Sequence, residues 1–411
     1  MSESGAGTQE RATPEEIPAS LPLDPEAVAE TLKPVERASF LPPQAFIDRR
    51  VFDWELENVF RGWVCAAHVS AVSEPGRFVM REIGDSSVVV IGGEDGRPHA
   101  FLNVCRHRGA RIVNQSEGSI RRRIQCPYHG WSYGFDGELT ASPHMEGTEE
   151  FDGSCYGLIP VRLDVVGGLV LVDLGGDAPA ADKQVGVLAE HLRRYRVDAL
   201  ARGGERPYSV DANWKALAEN YSECLHCPGV HPELNRLSDY MSGEQISGAG
   251  AWCGGSMTLR EGAKTMGRGE GRASSRPPIA GLPESELDTI LYFVLFPNAL
   301  VSLHPDYVML HTLWPRSADR TDVVCEWYFE PATMARPDFD PSDAIDFWDQ
   351  VNREDWHVCE LTQKGVRVRD FTPGRYSAVN EGDVHAFDVM VAERYMEALR
   401  GRGLVADGKA M

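Results

Sequence analysis

The chain has 411 residues and carries 62 Asp and Glu against 41 Lys and Arg, a formal charge of −21 with His neutral. That balance excludes a nucleic-acid binder, which needs a basic face for phosphates, and disfavours binding to an anionic membrane surface. With 42 % apolar and 25 % charged residues, and no apolar run near the ~20 residues of a spanning helix, it reads as a globular protein of two or three domains rather than a membrane protein.

In chain order, residues 1–24 are polar and rich in Glu, Pro, Ala and Ser, without the basic start and apolar stretch of a signal peptide. They are expected to be disordered, because they offer too little apolar surface to offset the entropy of ordering. A cytoplasmic location follows, in which the nine cysteines read as thiols or metal ligands and not as a disulfide framework. From residue 42 to 60 the pattern is helical, with Phe46, Val51, Trp54, Leu56 and Phe60 set among charges. Residues 62–174 change to short strands: 88–91 before a Gly-rich turn at 92–96, a hairpin turn at 134–137, and a buried strand at 168–172. A linker at 177–183 leads to a helix at 185–195. The second half mixes strands at 291–300, 307–314 and 323–329 with helices at 214–225 and 342–363, and the Gly-rich 248–281 is expected to contain mobile loops. The fold class is α+β: a largely disordered leader over 1–40, a helix plus β module over 41–175, and a larger sheet-and-helix domain over 176–411.

Two short segments carry metal chemistry. Cys105-Arg106-His107 and Cys126-Pro127-Tyr128-His129 give Cys-x-His and Cys-x-x-His. Zinc fingers place their thiols as one pair and their imidazoles as another, so a Cys2His2 zinc site fits poorly. Mixed pairs suit a Rieske-type 2Fe–2S cluster, in which thiolates hold one iron and imidazoles the other. Gly109, Gly130 and Gly134 permit tight backbone near sulfides, and Pro127 stiffens the second loop.

The second set is looser. On the expected helix 214–225, Glu219, Glu223 and His226 fall at i, i+4 and i+7 and share a face, and Pro228-Gly229 then breaks the helix so that His231 folds back beside His226. On helix 342–363, Asp355 shares the face of Trp348, Val351 and Cys359. A carboxylate aimed into a core is costly unless paired or metal-bound. Two His and one carboxylate form the facial triad of non-haem Fe(II) oxygenases. By spacing alone, two surface histidines and an aspartate paired with Arg353 stay equally open.

The residues quoted so far, with Asn213-Trp214-Lys215, Glu219 to His226, and His231-Pro232-Glu233-Leu234, resemble the catalytic α subunits of the Rieske non-haem iron oxygenases over residues 40–398. The resemblance implies a Rieske domain followed by a helix-grip catalytic domain built on an antiparallel sheet, with His226, His231 and Asp355 as ligands of a mononuclear Fe(II). It also implies that Glu223 bridges His129 of one subunit to His226 of its neighbour in a head-to-tail ring, a homotrimer or a multiple of it. Dioxygenases similar to naphthalene dioxygenase carry Asp at the bridge and one more residue before the first His. Glu223 and the shorter spacing resemble instead the carnitine, glycine betaine and stachydrine oxygenases. A terminal oxygenase is implied, which uses O2 and electrons from a separate NAD(P)H-dependent reductase or ferredoxin to hydroxylate or N-demethylate a small quaternary ammonium substrate. The alternatives are an oxygenase of aromatic or natural-product substrates and a Rieske-type electron carrier.

Other residues have plainer readings. Cys224 and Cys227 are expected to pack behind the iron-bearing helix. His304 and His311 lie on or beside strands that could approach the pocket. Trp252, Tyr292, Tyr307, Trp327 and Tyr328 are candidates for an aromatic cage. Arg106, Arg108, Arg111 and Arg121 to Arg123 form a basic patch that could guide an acidic electron donor.

Overall fold

The computed structural model describes residues 21–269 and 276–400. It opens with α1 (Pro25–Thr31), started by Asp24, whose side chain accepts from the Glu26 N–H. Residues 21–40, assigned above to a disordered leader, are folded: Leu21, Leu23 and Val28 enter the main core, and α1 packs on the final helix of the chain. These few apolar residues build no core of their own but complete one supplied by residues far along the chain. Residues 1–20 lie outside the described residues. The helical pattern at 42–60 divides into α2 (Gln44–Ile47) and α3 (Arg49–Asn58), because Asp48 turns extended and caps α3 through the Arg50 N–H at 2.8 Å.

The β module follows: β1 (Trp63–His68), β2 (Arg77–Ile83), β3 (Ser86–Gly92), β4 (Pro98–Leu102), β5 (Glu117–Ser119), β6 (Ile124–Gln125), β7 (Ser132–Tyr133), β8 (Leu139–Ala141), β9 (Arg162–Val166) and β10 (Leu169–Asp173). They form sheets ordered β4-β3-β2-β5, β6-β7-β8 and β1-β10-β9. Side chains of the first two meet in one core, where Phe78, Ile91 and Phe101 pack with Ile124 and Tyr133.

The expected helix at 185–195 is two, α4 (Ala181–Val185) and α5 (Leu188–Arg194), separated at Gly186. The second half runs β11 (Ala201–Val210), α6 (Trp214–Tyr221), α7 (Cys227–Val230), α8 (Pro232–Leu237), β12 (Glu244–Gln245), β13 (Trp252–Thr258), β14 (Thr289–Leu295), β15 (Ala299–Leu303), β16 (Val308–Ser317), β17 (Arg320–Phe329), α9 (Pro331–Met334), α10 (Ser342–Gly365) and α11 (Gly382–Arg400). All seven strands join one antiparallel sheet ordered β11-β17-β16-β15-β14-β13-β12. The expected strand at 291–300 is a hairpin, since Pro297 and Asn298 turn the chain between β14 and β15. The fold is α+β, a β domain followed by an antiparallel sheet with packed helices.

Helix α6 is gripped by the N-terminal segment. Asn213 caps it, accepting from the Lys215 N–H at 3.1 Å. Lys215 is fully buried and meets Glu55 of α3 at 2.6 Å, while the Trp214 indole donates to the other Glu55 oxygen at 2.9 Å. The Asn-Trp-Lys run thus ties the helix that precedes the second metal set to α3. No helix among the described residues is long and apolar enough to cross a membrane.

Candidate active site

The segments Cys105–Gly109 and Cys126–Gly130 fold as two copies of one turn. In each, the glycine N–H donates to the cysteine carbonyl (3.0 and 3.2 Å), and the cysteine N–H donates to the carbonyl that follows the glycine, Ala110 or Trp131 (both 2.8 Å). Gly109 and Gly130 close these turns at φ +71° and +74°, where a side chain would be strained. Both sulfurs are buried in the module core, His129 is exposed, and the two imidazoles stand 4.7 Å apart. His107 stacks on Trp131 at 4.9 Å, and its buried Nδ1 has no hydrogen-bond partner. Tyr133, whose role the sequence did not reveal, sets its hydroxyl 3.3 Å from the Cys105 sulfur and accepts from the Arg106 N–H. Burial, with Cys105 beside it, holds the Cys126 thiol above its ordinary value, and a cationic centre would favour its thiolate. Two buried thiols, an orphaned imidazole nitrogen and an outward imidazole fit a Rieske cluster.

The second set forms differently from the helical expectation. Helix α6 stops at Tyr221, and Ser222 leaves the helix, so Glu223 and His226 lie beyond it. Glu219 remains on α6 and faces Asp388 instead. Pro228 restarts the chain as α7, and Pro232 opens α8 directly after His231. The break lets both imidazoles meet Asp355 of α10. Asp355 Oδ1 lies 3.1 Å from His226 Nε2 and 2.8 Å from His231 Nε2, and the two nitrogens are 3.2 Å apart. The three donor atoms lie within 4.8 Å of one another. Arg353 does not compete for Asp355, because it pairs with Asp349 at 3.0 Å.

Each imidazole is held from behind. His226 Nδ1 donates to Glu223 Oε1 at 2.5 Å, and His231 Nδ1 donates to Glu354 Oε2 at 2.7 Å. This fixes the tautomers that turn Nε2 inward. The sequence reading missed Glu354, whose one signal was its place beside Asp355. Burial opposes charge on His226, yet Asp355 and Glu223 outweigh it and lift the imidazole to about 10. His231 is raised against its burial by Asp355 and Glu354, and the two imidazoles hold Asp355 below the usual carboxylate range despite its burial. Three carboxylates around two imidazoles favour positive charge at the centre, which a divalent cation supplies.

A cavity of about 200 Å³ adjoins this set, walled by Tyr240, Tyr292 and Trp348 and closed by the β12–β13 edge and the start of α11. Of the expected cage only Tyr292 lines it; Trp252, Tyr307, Trp327 and Tyr328 are core residues. His304 and His311 are buried and do not line it, but pack behind its wall, His304 on Trp348 and Tyr292 and His311 on Tyr221 and Asn352. Cys224 and Cys227, expected as packed thiols, form a disulfide across the loop that carries His226, with their Cα atoms 5.0 Å apart. In the basic patch, Arg111 is tied to Glu82 at 2.5 Å, and Arg121 to Arg123 are exposed.

Comparison with known proteins gives the same two parts. Residues 62–152 match the Rieske [2Fe-2S] domain, and residues 197–397 match the ring hydroxylating alpha subunit catalytic domain. Similar proteins include the glycine betaine monooxygenase oxygenase subunit of Pseudomonas aeruginosa, 28 % identical over 92 % of this chain and 94 % of that one. The carnitine monooxygenase oxygenase subunit of Escherichia coli is 28 % identical over 84 % and 90 %. The chloroplastic choline monooxygenase of Arabidopsis thaliana is 28 % identical over 87 % and 83 %. A quaternary ammonium Rieske monooxygenase solved with L-carnitine shares the fold, with TM-score 0.75 and 22 % identity over 91 % of this chain and 99 % of that one. An electron carrier would have no use for the second domain and its donor set. The chain belongs to the Rieske non-haem iron oxygenases, as an oxygenase α subunit that unites a 2Fe–2S domain with a mononuclear-iron catalytic domain.

Proposed function

We propose that this chain is the terminal oxygenase of a system in which a separate NAD(P)H-dependent reductase or ferredoxin supplies electrons and a small quaternary ammonium compound is oxidised at a carbon next to nitrogen. One observation carries the reading: two imidazoles, each oriented by its own carboxylate, converge with Asp355 beside a small aromatic-walled cavity. In this reading Cys105, His107, Cys126 and His129 hold the cluster, and His226, His231 and Asp355 hold Fe(II). When bound, the cluster stores and passes single electrons and the mononuclear iron binds O2.

The remaining work falls to the protein. Glu223 and Glu354 accept the Nδ1 protons of His226 and His231 and so set both rings with Nε2 toward the position the iron would take. In a head-to-tail ring, a trimer or a multiple of it, Glu223 also reaches His129 of the partner subunit; the exposure of His129 supports this. The faces of Tyr240, Tyr292 and Trp348 suit a methylated ammonium. Overall, a C–H bond, O2, two electrons and two protons give C–OH and water, and an N-hydroxymethyl product then breaks to the amine and formaldehyde. The names of the similar proteins cover glycine betaine, carnitine and choline. The test is O2 uptake by the iron-loaded protein with reductase, NADH and these compounds. Substrate-dependent uptake that disappears in His226→Ala is expected. Uptake no greater than in that variant would refute the reading, and oxidation of arenes alone would refute its substrate.

A further inference from the structure

The charge lining the cavity narrows the substrate class, on the premise of the reading above. Two of its carboxylates, Glu223 and Asp355, are occupied by the histidines. The other two are not. Asp383, the second residue of α11, is half-buried, receives a hydrogen bond from Gln245 Nε2 at 3.0 Å, and stands against Gly255, where an added Cβ would lie 3.2 Å from Asp383 Oδ2. Glu244, beside Gln245 on β12, lines the same wall. Among the described residues that line the cavity there is no Lys or Arg to receive an anion. Burial lifts Asp383 to about 6, which leaves it ionised above neutral pH.

A carboxylated betaine would bring its own carboxylate into this partly dewatered space, against Asp383 and Glu244 and with no cationic side chain to receive it. A cation is desolvated there too, but attraction to both side chains offsets that cost. We propose that the substrate is a small ammonium compound without a carboxylate, such as an amino alcohol or a tetraalkylammonium, and that Asp383 is the residue that selects it. Specificity then comes from repulsion of the wrong partner as much as from attraction of the right one.

The test uses the iron-loaded protein with reductase and NADH at pH 8, with choline and tetramethylammonium set against glycine betaine and carnitine. Product is followed by mass spectrometry and binding by calorimetry. Choline or tetramethylammonium should exceed both betaines at least tenfold in kcat/KM and in affinity. Asp383→Asn should lower that preference by at least about fivefold, the effect of one unit charge near 4 Å in bulk water, which a partly dewatered cavity can only strengthen. Glu244→Gln, at an exposed position, should lower it less and serves if Asp383→Asn fails to fold. Betaines used as well as choline, or a preference unmoved by both substitutions, overturns the proposal while leaving the ammonium reading intact. Failure of all four compounds, with arenes oxidised, overturns both.

Discussion

Glu354 offers the sharpest single perturbation. Its Oε2 accepts from His231 Nδ1 at 2.7 Å, and the His231 side chain is 1 % exposed, so water can replace the acceptor only by entering the space that Glu354, itself 28 % exposed, would vacate. In Glu354→Ala the buried N–H loses its partner, at a cost of about 1–3 kcal/mol. Iron binding requires that tautomer and ring orientation, so the cost appears as weaker Fe(II) affinity by about 10- to 100-fold, the usual scale for such a partner. Glu354→Gln retains a carbonyl acceptor and should lose less. The assay is competition for Fe(II) with a ferrous chelator, with the visible spectrum of the 2Fe–2S cluster as internal control. An affinity within twofold of wild type in the Ala variant, while His231→Ala loses the iron, would refute the role of Glu354. Loss of the cluster spectrum as well would show general damage instead.

Other outcomes follow from the same structure. Lys215→Met strands the buried Glu55 carboxylate and should cost about 3–5 kcal/mol, with part recovered in the double variant Glu55→Gln/Lys215→Met; chemical denaturation measures both. Tyr133→Phe removes the hydroxyl next to the Cys105 sulfur and should lower the reduction potential of the cluster in a redox titration, because hydrogen bonds to sulfur favour the reduced form. Burial raises Asp388 from 3.8 to about 7, so the fold prefers its neutral form. That contribution is complete at low pH, below the unfolded value, and is lost as pH rises through 7. Asp388→Asn stays neutral, so between pH 5 and 8 wild type should lose thermal stability relative to the variant; parallel curves would contradict this assignment.

Legibility in the sequence followed how local each interaction is. The paired Cys-His segments were readable because each closes its own turn within five or six residues, through Gly109 and Gly130. Asp355 was readable from the period of α10, where a carboxylate falls among Trp348, Val351 and Cys359. The end of α6 was not, since residues 222–226 keep a pattern compatible with helix and only the pull of Glu223 onto His226 shows the advantage of unwinding there. Glu354 and Asp383 acquire meaning from partners more than a hundred residues away, His231 and Gln245, a pairing that no periodicity encodes. Residues 21–40 read as disordered for the same reason, because the surface that orders them belongs to α11.

Iron content tests the central claim most directly. Fully loaded protein should hold three irons per chain, and Asp355→Ala should hold two with an unchanged cluster spectrum. Two irons in both proteins, or loss of the cluster together with the third iron in the variant, would contradict two separate centres on this chain.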